Sequence, residues 1–150
     1  MDFLVSMTLI GIFATSAMNT MLWIISGLTN THCDMVRAVG SIYTHDEDSA
    51  LLPGLIMQFT AGILIAYVYG IFLQEASFKV SYGYALLSVG MGAIHGLAVS
   101  LVMGKLLGEH HPLERYQSVT KRTMIAHLFA HILYGLVIGT MYGTFIAAFI

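Results

Sequence analysis

Ionisable side chains in this chain collect in three short gaps, and the four long stretches around them carry almost none. The stretches are residues 3–28, 51–73, 82–104 and 124–150. Each exceeds the ~20 apolar residues that cross a hydrocarbon core of roughly 30 Å. In hydrocarbon there is no water to bond, so backbone N–H and C=O groups must pair within their own segment, which predicts helices. The apolar runs show no period-two alternation, which argues against strands. The pattern therefore predicts one all-α membrane domain over residues 1–150, a bundle of four transmembrane helices. The first span opens at residue 3 without a basic segment or a small-residue cleavage pattern, so it reads as a retained helix and not as a removed signal peptide.

The gaps carry local signals of their own. In the first, Met35, Val36, Val39, Ile42 and Tyr43 recur at helical spacing, with Thr31 and Asp34 placed to cap the start. This predicts a short amphipathic helix lying in the membrane interface. The run His45-Asp46-Glu47-Asp48 behind it reads as solvated. Pro112 marks a turn, or the first position of a short helix, in the third gap. Tyr69, Tyr82, Tyr84 and Tyr142 fall toward the far half of their spans, where aromatic anchors are expected.

The second and fourth spans superpose: QFTAGILIAYVYGIF from Gln58 on HILYGLVIGTMYGTF from His131, with Gly62 on Gly135, Ala66 on Gly139, Tyr69 on Tyr142 and Gly70 on Gly143. The first and third match more loosely, through Gly11 with Gly92 and Ala17 with Ala98. The chain thus reads as two repeated helical hairpins related by an axis along the membrane normal. Small residues recur every fourth position: Gly62, Ala66 and Gly70; Ser88, Gly92, Gly96, Ser100 and Gly104; Gly135, Gly139 and Gly143. Lipid gives helices no hydrophobic reason to associate, so such rows serve close backbone packing. They fit either contacts inside the bundle or a face turned to another membrane subunit.

Composition sharpens the class. Of 150 residues, 57% are hydrophobic and 9% are Asp, Glu, Lys or Arg, against roughly a quarter charged in soluble domains. Mean hydropathy is +0.81. A soluble enzyme, a disordered tail and a nucleic-acid binder are excluded, the last for want of a basic face. The single cysteine, Cys33, excludes a disulfide framework and a CxxC motif. Five basic residues, Arg37, Lys105, Arg115, Lys121 and Arg122, belong to the first and third gaps, and only Lys79 to the second. That bias predicts cytoplasmic first and third loops and both termini outside.

The polar side chains inside the spans are Asn19, Gln58, His95, His127 and His131. At 1.5 Å per residue, Asn19 lies about 14 Å from Leu28, Gln58 about 10 Å from Leu51, His95 about 14 Å from Gly104 and His131 about 10 Å from Met124. Four helices thus offer one polar group each to nearly the same layer. His127 lies one turn from His131 on the same face, and the hydroxyl of Tyr134 is within reach of the layer. Such groups face the bundle interior and find partners there. The first reading is a hydrogen-bonded layer that fixes helix register without a cofactor. The functional readings are a metal ion on imidazole, a haem between His95 and His131 with Gly96 and Gly135 making room, or a quinone or lipid headgroup. The loop residues His32, His45, His110 and His111 share a face with Cys33 and Asp34 but have no metal spacing, and read as solvated or interfacial. No Asp or Glu lies inside a span, no nucleophile–base set is placed for catalysis and no phosphate loop is present, so stand-alone catalysis is not expected.

The segments GIFATSAMNTMLW, GAIHGLAVSLVMG and HILYGLVIGTMYG together resemble a family of uncharacterised prokaryotic four-span membrane proteins. The family closes on a His-x-x-Tyr-Gly-x-x-x-Gly-x-x-Tyr helix, here His131, Tyr134, Gly135, Gly139 and Tyr142, and carries a third-helix histidine, here His95. A histidine common in its second helix stands here as Gln58. The resemblance implies a four-helix fold in a prokaryotic cytoplasmic membrane and no particular activity. Three functions follow in order of expectation. The first is an accessory subunit packing onto a larger respiratory, photosynthetic or oxidase complex. The second is a haem-, metal- or quinone-binding module built on the histidines, and the last is a dimeric carrier.

Overall fold

The computed structural model describes residues 2–29, 34–76, 78–103, 105 and 108–146. Among the described residues the chain is helical throughout its ordered elements. The helices are α1 (Phe3–Thr29), α2 (Met35–Thr44), α3 (Leu51–Glu75), α4 (Ser81–Val102), α5 (Gly108–His110), α6 (Glu114–Gln117) and α7 (Lys121–Phe145). Four of them, α1, α3, α4 and α7, are long and apolar enough to cross a membrane, as expected of a multi-pass membrane protein. Gly104 and the last residues of the fourth span lie outside the described residues, as do Thr31, His32 and Cys33.

Polar residues at the ends of the apolar runs fix where the helices begin. Asp2 accepts the N–H of Leu4 at 2.9 Å, Asp34 that of Arg37 at 3.0 Å, and Thr120 that of Thr123 at 3.2 Å. Each satisfies one of the donors that a helix start leaves unpaired. Helix α2 stops at His45, whose left-handed backbone (φ 54°) returns its N–H to Ser41. Pro53 sits in the first turn of α3, where its missing N–H removes no helical bond.

Helix α4 packs along almost the whole of α7, and α1 packs on both α3 and α7, whereas α3 touches α4 and α7 only slightly. Across the bundle the order is therefore α3, α1, α7, α4, with an opening between α3 and α4. The core runs along α1 and α7, through Met7, Ile10, Ala14, Met18 and Leu22 on one side and Ala126, Ala130, Tyr134 and Ile138 on the other.

Glycine governs the approach within each hairpin. A Cβ on Gly62 would strike the Thr15 hydroxyl, and one on Gly135 would strike the Ser88 carbonyl. Gly62 and Gly135 stand 73 positions apart, as do Thr15 and Ser88. The same step of 73 carries the contact of Ala66 with Gly11 onto that of Gly139 with Tyr84. The contacts within the two hairpins thus share a step of 73 that sets Gly11 beside Ala66 and Tyr84 beside Gly139, a register different from the expected match of Gly11 with Gly92. Between hairpins the likeness ends. A twofold relation that pairs α1 with α7 would pair α4 with α3, and only the former contact is extensive.

Three further expectations change. The residues Gly62, Ala66, Gly70, Gly92, Gly96, Gly135, Gly139 and Gly143 are all buried against the chain's own helices, so their rows do not form an outward face. Tyr69, Tyr84 and Tyr142 are core residues and not interfacial anchors, and only Tyr82 of the four is exposed. Their rings stack edge-on or tilted with other aromatics, Tyr69 with Tyr134 and Tyr84 with both Phe78 and Tyr142. Helix α2 forms where expected, but docks through Val36, Ala38, Gly40 and Ser41, while Ile42 and Tyr43 face outward. Gly40 against Ala50, and Gly54 against Val36, permit backbone contact with the start of α3 that a Cβ would prevent.

Candidate functional site

The opening between α3 and α4 is a cleft of about 160 Å³. Its floor comes from α1 (Met18, Leu22) and α7 (His127, His131, Tyr134), its sides from α3 (Gln58, Gly62) and α4 (His95, Val99), and α2 closes one end with Met35 and Val39. The sequence assigned Asn19, Gln58, His95, His127, His131 and Tyr134 to one layer, and the helices bring all six together here. Five line the cleft, and Asn19 lies behind Gln58, whose amide nitrogen donates to its side-chain oxygen at a long 3.4 Å.

Alpha-helical spacing places His127 and His131 on one face of α7. Each imidazole turns back along the helix: His127 Nδ1 donates to the Thr123 carbonyl and His131 Nδ1 to the His127 carbonyl, both at 2.7 Å. The His95 ring meets the His131 ring edge-on at 4.8 Å between centroids, and Gly96 makes that approach possible, since its Cβ would lie 2.7 Å from His131 Cβ. Tyr134, 1% exposed, reaches across to donate its hydroxyl to the Gly62 carbonyl at 2.5 Å, tying α7 to α3 at the cleft's edge.

Several polar atoms here lack partners. The buried Asn19 Nδ2, Tyr69 hydroxyl, His95 Nδ1 and His127 Nε2 make no hydrogen bond, and neither do Thr15 Oγ1 and Ser88 Oγ within the hairpins. A buried polar group left unpaired costs about 1–3 kcal/mol. Two of these atoms, His95 Nδ1 and His127 Nε2, belong to residues that line the cleft.

Above the cleft lies a smaller cavity of about 40 Å³ in the cap formed by the first and third loops. Met35, Met103 and His127 line both spaces, so His127 stands at their junction. The cap contains contacts the sequence did not reveal. His111, expected with His110 to be solvated or interfacial, is 2% exposed and packed between the two loops; it accepts the Leu113 N–H on Nδ1 at 3.0 Å and donates from Nε2 to the Ala38 carbonyl at 2.9 Å. Glu47, expected to be a solvated charge, pairs with Arg115 at 2.6 Å and accepts the Tyr116 hydroxyl at 3.2 Å. Burial, reinforced by the Glu47 carboxylate, pushes the Tyr116 phenol up to about 12. Of the acidic run, Asp46 does remain exposed, and hydrogen bonds from the Ser49 hydroxyl and N–H hold its carboxyl below the usual carboxylate value. No sequence signal marked His111 or Glu47, because their partners are about 70 residues away.

The geometry bears unequally on the cofactors considered. Axial imidazoles of a haem lie on opposite faces of a macrocycle, whereas the His95 and His131 rings touch each other. The cleft's volume matches the ~150 Å³ cavity that holds one benzene, not a macrocycle. Among the described residues no three His, Cys, Asp or Glu side chains are grouped to hold a metal ion. A single ring or a small headgroup fits. No family model matches this chain, and no curated protein or solved structure is similar to it.

Proposed function

We propose that this chain is a membrane-embedded binding module whose cleft between α3 and α4 takes a lipid-soluble, single-ringed ligand directly from the bilayer. The supporting observation is a largely apolar cleft of ring size whose lining includes two imidazoles, His95 and His127, each with a buried nitrogen that makes no hydrogen bond. Entry from the side follows from the slight contact between α3 and α4. The first and third loops, with Arg37, Lys105, Arg115, Lys121 and Arg122, lie on the cytoplasmic side of a prokaryotic membrane, and the two hairpins descend from a duplicated 73-residue unit. Among the described residues no carboxylate, hydroxyl of Ser or Thr, or thiol lines the cleft, which favours holding a ligand over transforming it. The test is mass spectrometry of small molecules that co-purify in lipid nanodiscs. The parent retains about one per chain, and Ala61→Trp, which fills the cleft from its rim, loses it. Identical small-molecule content in the two proteins overturns the proposal.

A second reading, an accessory subunit of a larger membrane complex, draws support from α3 and α4, which bury 17% and 22% of their most apolar windows against 39% and 44% for α1 and α7. Co-migration with larger subunits on a native gel supports that reading, and migration as this chain alone from its native membrane removes it.

A further inference from the structure

The helix that carries His127 and His131 also determines where their hydrogens sit. A carbonyl oxygen only accepts, so the contacts to Thr123 and His127 require a hydrogen on each Nδ1. In the neutral ring Nε2 then bears a lone pair. His127 Nε2 is buried with no partner, and His127 itself is 4% exposed at the cleft wall. His131 lines the same wall, and its contacts among the described residues are the Nδ1 bond and the edge-on ring. The residues lining the cleft therefore include two imidazoles on one helix face, each held with Nδ1 as donor and Nε2 as acceptor.

We infer that the ligand of this cleft is a hydroxylated ring, a phenol or hydroquinone head on a lipid-soluble tail, whose O–H donates to Nε2 of His127 or His131. This rests on the cleft being a ligand site, as proposed above, and adds the ligand's chemistry. A quinone, an ester or an ether brings only acceptors, so it can take the Gln58 amide but leaves the imidazole Nε2 lone pairs without a donor. A hydroxyl satisfies an imidazole nitrogen while the ring it belongs to packs on apolar lining such as Met18, Leu22, Ile65 and Val99. A second ring oxygen finds a donor across the cleft in the Gln58 amide. The tail leaves between α3 and α4 into lipid. A site built around a hydrogen bond rejects the analogue that lacks it.

The experiment compares a long-chain alkylphenol with its methyl ether, binding each to the whole chain in lipid nanodiscs. The phenol binds about tenfold or more tighter than the ether, the consequence of leaving one buried acceptor unpaired. In His127→Phe and His131→Phe, checked for helicity, the phenol's advantage shrinks while the ether's affinity is kept. The comparison on the parent protein decides the question even where a variant does not fold. Equal affinities overturn the hydroxyl inference while leaving the cleft as a ligand site; failure of both probes to bind overturns the cleft reading itself. One zinc ion per chain retained through chelator dialysis also overturns the inference, because a metal would then occupy the same lone pairs.

Discussion

Replacing Gly135 by alanine inserts one carbon where two backbones meet. The new Cβ would collide with the Ser88 carbonyl oxygen and sit 2.9 Å from its carbon and 3.3 Å from Gly92 Cα. Ordinary contact begins near 3.4 Å, so the carbonyl carbon alone requires α4 and α7 to part by about half an ångström and the nearer oxygen requires more, and neither neighbour is a side chain able to rotate away. Overpacking of this kind costs about 1–3 kcal/mol. The same substitution removes the entropic penalty of a mid-helix glycine, a gain of about 0.5–1 kcal/mol. Gly90, on the outer face of α4, supplies the control: a Cβ there meets nothing within 4 Å, so Gly90→Ala carries the gain alone. Because the propensity gain is common to both, the stability difference between the variants is the steric cost itself, about 1–3 kcal/mol. Reversible unfolding in mixed micelles, followed by helical circular dichroism, places Gly90→Ala above the parent and Gly135→Ala below it. If Gly135→Ala is as stable as Gly90→Ala, α4 and α7 are not in backbone contact and the packing described here is wrong.

Three other outcomes follow from particular contacts. Tyr134→Phe loses the bond to the Gly62 carbonyl and is expected to lower stability by about 1 kcal/mol, roughly fivefold in the unfolding equilibrium; an unchanged unfolding midpoint would remove the tie between α7 and α3. Tyr116 is raised in the folded protein, so its contribution is full below the ordinary phenol range and is lost as pH rises toward about 12. Glu47→Gln removes a cause of that rise and should bring the Tyr116 tyrosinate absorbance to lower pH; an unmoved titration would contradict the contact with Glu47. Asp46 is depressed, so the loop contact with Ser49 is present at neutral pH and lost only on acidification below the ordinary value of 3.8. Ser49→Ala should move the Asp46 carboxyl resonance midpoint upward, and no movement would refute the assignment.

The spans were legible because apolar length and the gaps between them are one-dimensional signals. The expected stretches 3–28 and 51–73 became α1 (Phe3–Thr29), whose start Asp2 caps, and α3 (Leu51–Glu75). The common level of Asn19, Gln58, His95 and His131 was equally readable, because helical rise converts residue number into depth. Sequence periodicity did not reveal what depends on which helices touch. It left open whether the glycine rows face inward, and hid the fact that Tyr69, Tyr84 and Tyr142 fill the core. It gave no sign that α3 and α4 stand apart, nor that His111 and Glu47 join two loops distant in the chain. The loose match of Gly11 to Gly92 came from composition alone, and the contacts of Thr15 and Ser88 follow a different step.

The ligand chemistry proposed for the cleft depends on the protonation pattern of the α7 histidines, and nitrogen NMR of the imidazole rings in bilayer-reconstituted protein reads it directly. The account predicts that His127 and His131 are neutral rings with hydrogen on Nδ1 and an Nε2 able to accept. Hydrogen on Nε2 of either ring would contradict it, because the lone pairs that define the ligand would not be there.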